Sequence, residues 1–171
     1  MMANIAVLAT DQVEDIELTS PQEALENAGH TVTIISEDDK QTVTGKHGTE
    51  YKVSQNIKDA NPADFDGILL PGGFSPDLLR ADAEGRFGQF TKHFLEANKP
   101  SFAICHGPQL LIDTDLIKGK NLTSFISVRK DLENAGATIL EQPVVVDDNI
   151  VTSRTPDDLD DFNKAIVEKL K

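Results

Sequence analysis

One cysteine, Cys105, stands directly before a histidine in the stretch Ser101-Phe102-Ala103-Ile104-Cys105-His106-Gly107-Pro108. A short apolar run precedes it, and Gly107-Pro108 opens Gln109-Leu110-Leu111-Ile112, so the pair sits on a tight turn from strand to helix. A thiol so placed projects from the top of a sheet toward unpaired N–H groups and the positive end of a helix, which favour its thiolate. A lone cysteine is often only a small buried hydrophobe. Two further groups give this one company. Glu14 and Glu17 lie in an acidic loop, Asp11-Gln12-Val13-Glu14-Asp15-Ile16-Glu17, and Gly72-Gly73 follows Leu69-Leu70-Pro71. A thiol beside a carboxyl, with free backbone N–H groups at hand, can act as a nucleophile with an oxyanion pocket.

The elements that must position these groups can be read along the chain. Asn4 to Thr10 carries a compact apolar run suited to a strand buried on both faces. Ser20-Pro21-Gln22-Glu23 has the N-cap, first-position proline and capping box of a helix start, and Gly29 is its stop. Thr31 to Ile35 is a second strand, which completes a βαβ unit and calls for a parallel sheet. Residues 37–64 are polar; Gly45 and Gly48, between Thr42-Val43 and Tyr51-Lys52-Val53, point to a small hairpin or excursion at the sheet edge. Gly67 to Leu70 is a further buried strand, Ser75-Pro76-Asp77 opens a short helix, and Phe87, Phe90, Phe94 and Leu95 form the core face of a helix reaching Ala97. Lys120 to Phe125 reads as a strand and Val128 to Asn134 as a helix ending at Gly136. Asp147-Asp148-Asn149 turns a hairpin between Val144-Val145-Val146 and Ile150-Val151-Thr152. Thr155-Pro156-Asp157-Asp158 caps a last helix with Leu159, Phe162, Ile166 and Leu170 on one face. His30, His47 and His93 fall in polar surroundings and read as surface residues. The pattern is one α/β domain over residues 1–171, a mostly parallel sheet with helices on both faces. In such sheets, sites form beyond the carboxyl ends of the strands, where Glu14/Glu17, Gly72-Gly73 and Cys105-His106 all fall.

Bulk composition narrows the function classes. The 171 residues are 39% hydrophobic and 26% charged, as expected for a globular protein. No apolar run approaches the roughly 20 residues that span a bilayer, and the first residues lack an export signal. A single cysteine fits a reducing cytoplasm. The net charge of −13 argues against nucleic acid as a partner, since phosphate binding needs Lys and Arg. No cofactor motif is present. Cys105, His106 and Glu17 make a poor metal set, because adjacent residues rarely aim both side chains at one ion. Neither cofactor nor metal is expected.

Four segments together resemble the ThiJ/PfpI family, which includes PfpI-type intracellular peptidases, glyoxalase III-like enzymes and the Parkinsonism-associated deglycase. They are Val13-Glu14-Asp15-Ile16-Glu17, Leu69-Leu70-Pro71-Gly72-Gly73, Ala103-Ile104-Cys105-His106-Gly107-Pro108-Gln109, and Val151-Thr152-Ser153-Arg154-Thr155-Pro156-Asp157-Asp158. The resemblance runs from near residue 4 to the C-terminus. It implies a flavodoxin-like three-layer sandwich and a homodimer or higher oligomer. It implies Cys105 as nucleophile, Glu17 as a protonated carboxyl hydrogen-bonded to the thiolate, and the N–H groups of Gly73 and His106 as the oxyanion pocket. It also implies an acidic partner for His106 from a neighbouring subunit, at the position of Asp77. Two departures weaken the peptidase inference: Asp77 is a methylene shorter than the usual Glu, and Ser124-Phe125-Ile126 replaces Ser-Tyr-Pro. Three functions follow from the likeness and the thiol: attack on a small reactive aldehyde in a stress response, reversible oxidation of Cys105 by an oxidant, and thiol proteolysis with His106. The first two rest on a thiol of low pKa.

Overall fold

The computed structural model describes residues 2–171. A seven-stranded sheet runs through the molecule. Its central strands are β1 (Asn4–Leu8), β6 (Gly67–Leu70) and β7 (Ser101–Ile104), with β2 (Thr31–Ser36) and the short β5 (Gln55–Asn56) on one side. On the other side lie β11 (Ile150–Ser153) and β10 (Val144–Asp147), giving the order β10-β11-β7-β6-β1-β2-β5. Every pairing in it is parallel except the terminal hairpin, β10 with β11.

Alternation along the strands builds a core on each face. Ile5 and Val7 of β1 face α1 (Asp15–Asn27) and α6 (Leu159–Lys169) in a cluster with Leu18, Leu25, Phe162 and Ile166. Ala6 and Leu8 face the opposite way, toward Phe87, Phe90 and Phe94 of α3 (Arg86–Glu96) and Leu110 and Leu111 of α4 (Gln109–Ile112). The expected aromatic stripe is therefore core. The sheet with helices on both faces is the flavodoxin-like arrangement expected from the sequence.

Local departures from the sequence reading concern the segments near Cys105. Helix α1 begins at Asp15, so Pro21 lies inside it and Ser20 caps nothing; the Ser20 hydroxyl accepts instead from Asn163 Nδ2 at 2.8 Å. The earlier start is imposed from outside the helix. Glu14 N–H donates to Gly72 O, and Val13 bridges to Gly73, which ends the extended chain just before Asp15. Residues 120–125 form only a two-residue strand, β8 (Asn121–Leu122), paired in parallel with β9 (Thr138–Ile139). Beyond it the chain leaves the ladder: Thr123 N–H donates to the Thr152 hydroxyl and Phe125 N–H to Cys105 O, which lays Phe125 across the turn. Helix α5 runs from Arg129 to Asn134, preceded by a 3-10 turn at Ile126–Val128. His30 is buried, its Nδ1 accepting from Ala3 N–H at 3.0 Å, and His93 is half-buried against Phe94; of the three only His47 is exposed.

The hairpin of β3 (Thr42–Thr44) and β4 (Glu50–Lys52) folds down onto the start of α1. Buried Asp15 holds it: its carboxylate accepts from the N–H groups of His47 (2.8 Å) and Thr49 (2.9 Å), and Tyr51 Oη donates to its carbonyl. Only glycine fits at position 45, where a Cβ would stand 2.4 Å from the Asp15 carboxyl carbon. Burial works against the charge on Asp15, yet the Thr49 hydroxyl and the two N–H groups outweigh it and the carboxyl titrates below its usual range. Replacing Asp15 with Ala leaves two donors without an acceptor, at about 1–3 kcal/mol. Hydrogen exchange is expected to speed up at the His47 and Thr49 amides; unchanged protection there would refute this role for Asp15.

Candidate active site

Three chain crossings meet beyond the carboxyl ends of β1, β6 and β7. Cys105 directly follows β7 with φ of 63°, a left-handed conformation that non-glycine residues adopt only when the surroundings impose it. Here its N–H donates to Ser153 O and its carbonyl accepts from Phe125 N–H, at 3.0 and 2.9 Å. Gly107 makes the turn possible, since a Cβ there would lie 2.0 Å from Leu70 O. The Gly72-Gly73 turn comes equally close: a Cβ at Gly72 would meet Glu17 Oε1 at 2.6 Å and His106 N at 2.9 Å.

Glu17, in the first turn of α1, is fully buried beneath this turn. Its Oε1 accepts from Gly72 N–H at 2.9 Å, while Oε2 is buried without a hydrogen-bond partner among the described residues. Burial raises the carboxyl pKa to about 8, against the opposing pull of the Cys105 side chain and the Gly72 N–H. Near neutral pH the group therefore keeps its proton, and it has a free oxygen to donate from.

The thiol departs from the sequence reading. Burial, and then an ionised Glu17, push the Cys105 pKa up rather than down. The helix that follows has only four residues, too short to supply much of a dipole. The N–H groups of His106 and Gly73 work the other way and favour the thiolate. When Glu17 carries the proton, both of its effects on the sulfur reverse: the like charge vanishes and a donor takes its place. Glu17 protonation thus relieves the sulfur of a like charge, while burial, the largest cause of the upward shift, still works against the thiolate.

A cavity of about 360 Å³ opens over the sulfur, lined by Gln12, Glu14, Lys46, Phe74, Asp77, His106, Phe125 and Pro156 along with Glu17, Gly73 and Cys105. Glu17, Gly73, Asp77, Cys105 and His106 are therefore brought together. His106 is half-buried, its ring stacked on Phe125 with centroids 4.9 Å apart and its Nδ1 3.4 Å from Gln109 Nε2. Burial lowers its pKa, and the charge of Asp77 opposes that. Asp77 thus lines the cavity of its own chain, without a hydrogen bond to His106 among the described residues. Lys46 and Phe74 escaped the sequence reading. Lys46 arrives on the hairpin tip, with Nζ 3.7 Å from Glu14 Oε2, and His47 Nε2 sits 3.0 Å from Glu14 Oε1. The donor atoms of Glu14, Asp15 and His47 lie within 4.8 Å of one another, though Asp15 is already engaged by backbone N–H groups. Only the flanking glycines hinted at the tip, and nothing local tied it to Cys105.

A protonated Glu17 leaves a sign in stability. Its folded pKa of about 8 exceeds the ordinary 4.5, so the folded state holds a proton that the unfolded state releases. Stability tied to this group is fully present below about pH 4.5 and is lost as pH rises toward 8. Glu17→Gln removes that dependence. The variant should gain on the parent protein between pH 5 and 8, by several kcal/mol at most at ~1.4 kcal/mol per pKa unit. Denaturant unfolding at both pH values checks this; a parallel response of the two proteins would contradict it.

Comparison with known proteins agrees with this geometry. The family model described as the DJ-1/PfpI family matches residues 3–169. An uncharacterised protein of Staphylococcus saprophyticus is 59% identical over 170 residues, covering 99% of both chains, and one of Staphylococcus aureus is 54% identical over the full length of both. Among solved structures, a two-domain protein from Anabaena variabilis with DJ-1/ThiJ/PfpI-like and ferritin-like domains superposes with a TM-score of 0.93 at 37% identity. That match takes in 98% of this chain and 48% of the larger protein, so the chain spans about half of its length. Drosophila melanogaster DJ-1beta superposes with a TM-score of 0.89 at 25% identity, over 99% of this chain and 91% of that one. Matched by that family model over nearly its whole length, the chain belongs to the DJ-1/PfpI family.

Proposed function

We propose that the protein is a cofactor-independent enzyme in which Cys105 attacks small reactive aldehydes, converting 2-oxoaldehydes to 2-hydroxy acids as a protection against carbonyl stress. The observation that carries this reading is the fully buried Glu17, raised to about 8, with Oε2 unpartnered beside the thiol. Such a carboxyl can exchange a proton with the sulfur and with a bound substrate near neutral pH.

The steps balance without an external oxidant or reductant. Cys105 Sγ forms a bond to the aldehyde carbon, and the carbonyl electron pair moves to oxygen beside the Gly73 and His106 N–H groups. The thiol releases its proton to solvent as it attacks, and protonated Glu17 gives its own proton to that oxygen, so a hemithioacetal forms and Glu17 is left as carboxylate. Glu17 then takes the proton from the former aldehyde carbon, whose electron pair moves toward the neighbouring ketone. That proton is returned at the neighbouring carbon while the hydroxyl proton of the first carbon passes to the second oxygen, and Glu17 regains its own proton from solvent. The product is a thioester of a 2-hydroxy acid. Water cleaves the C–S bond, releasing the acid and restoring the thiol. An adduct on an amine would follow the same route after its C–N bond breaks and the amine leaves with a proton.

Incubation with methylglyoxal should yield lactate at a rate abolished in Cys105→Ala and lowered at least 100-fold in Glu17→Gln, which keeps the shape and loses the proton relay. No lactate above the Cys105→Ala background would overturn the assignment.

A second reading, reversible oxidation of Cys105, is favoured by the same N–H groups and carboxyl, which could hold the oxygens of a sulfenate or sulfinate. With one cysteine in the chain, no internal disulfide can follow. Sub-millimolar peroxide should then add one or two oxygen atoms to the intact mass, at Cys105; an unchanged mass would remove this reading. Proteolysis has no comparable support. The His106 ring is engaged with Phe125 and Gln109, and adjacent residues on a turn do not normally serve each other as nucleophile and base.

A further inference from the structure

The cavity over Cys105 is much larger than a three-carbon aldehyde requires. Its volume of about 360 Å³ falls within the roughly 300–1,000 Å³ of sites that take drug-sized ligands. Its walls are of two kinds. Phe74 and Phe125, with Pro156, supply aromatic and apolar surface. Phe125 is held by its stack on His106, whereas Phe74 is 55% exposed directly after Gly73. The Gly73 φ of 73° sets where that ring goes, and a Cβ at Gly73 would lie 2.4 Å from Glu14 N.

The remaining walls carry an excess of negative charge. Glu14 is offset by Lys46 at 3.7 Å, with His47 at 3.0 Å. Glu17 is protonated near neutral pH, and burial keeps His106 neutral. Arg80, whose charge also feels Asp77, is committed to Asp113 through two hydrogen bonds at 2.9 and 2.8 Å. Asp77 remains as an anion without an ion-pair partner among the described residues. A carboxylate-bearing substrate would have to enter against it.

We propose that the site selects neutral 2-oxoaldehydes carrying an aromatic or bulky apolar substituent, which packs against Phe74 and Phe125, and that Asp77 turns away anionic aldehydes. Phe74 and Asp77 are then the specificity-determining residues. This rests on the aldehyde reading above and narrows its substrate class.

Cys105-dependent turnover of phenylglyoxal, methylglyoxal and 4-carboxyphenylglyoxal, all 2-oxoaldehydes, separates size from charge. At neutral pH, kcat/KM should be about tenfold higher for phenylglyoxal than for methylglyoxal, and about tenfold lower for 4-carboxyphenylglyoxal than for phenylglyoxal. Phe74→Ala should bring the phenylglyoxal-to-methylglyoxal ratio close to one, and Asp77→Asn should raise the 4-carboxyphenylglyoxal-to-phenylglyoxal ratio about tenfold. Equal kcat/KM for the two neutral substrates, preference for the carboxylated substrate, or an equal loss on all three in Phe74→Ala would overturn the proposal. Such an equal loss with a change in oligomeric state by light scattering would assign Phe74 to a contact with a second copy.

A binding measurement keeps the two readings apart. In Cys105→Ala, unreactive 2-hydroxyacetophenone should bind more tightly than hydroxyacetone by calorimetry, and the difference should vanish when Phe74→Ala is added. If no aldehyde is turned over yet this preference holds, the aldehyde chemistry fails and the cavity's selectivity stands. If the preference is absent, the selectivity fails whatever the chemistry.

Discussion

Glu17 is a carboxyl group with no exposed surface, and most features of the site follow from the need to accommodate it. An ionised carboxylate in that position would be costly, so the group retains its proton near neutral pH. Gly72 N–H serves one oxygen, and the other is buried without a hydrogen-bond partner among the described residues. Any side chain at Gly72 would strike that carboxyl, which is why the turn after β6 must come so close. The thiol in turn depends on it. Ionised, Glu17 suppresses the thiolate; protonated, it takes that like charge away.

The surrounding fold works to hold this pair in register. Parallel pairing of β1, β6 and β7 brings three loops to one end of the sheet. The Val13–Gly73 bridge joins two of them, and the Phe125 N–H to Cys105 O bond joins the third to the segment after β8. Cys105 can stay at a positive φ because its N–H and carbonyl are both tied to neighbouring chain. The hairpin pinned by Asp15 adds the outer wall. Reactive group, acid and rim are therefore set by backbone contacts more than by side-chain pairs, which keeps the geometry stiff around a cavity open to a ligand.

Much of this is legible in the residue types and their order. Ile5-Ala6-Val7-Leu8 and Ile68-Leu69-Leu70 announce strands buried on both faces, and buried strands alternating with helices mean a parallel sheet. The Cys105 turn and the glycine pair were visible because a nucleophile on a bend and a close backbone approach each demand particular residue types. Less visible was where α1 begins. Ser20-Pro21 carries a strong local start signal, yet the bond from Glu14 N–H to Gly72 O, spanning nearly 60 residues of chain, overrides it and starts the helix six residues earlier. That override places Glu17 in the first turn, under Gly72. The strand expected over residues 120–125 likewise gives way to long-range bonds to Thr152 and Cys105.

Residue order and pattern thus settle the architecture, the place of Cys105 on its strand-to-helix turn and the family, since hydrophobic period and turn chemistry are local properties. The thiol's electrostatics, the arrival of Lys46 on the hairpin tip, the place of Asp77 in the cavity of its own chain and the exposed face of Phe74 belong to the tertiary structure. Each depends on burial or on proximity between segments far apart in the chain. A pKa responds to the solvent lost and the charges gained around a group, and neither is written in its neighbours along the sequence.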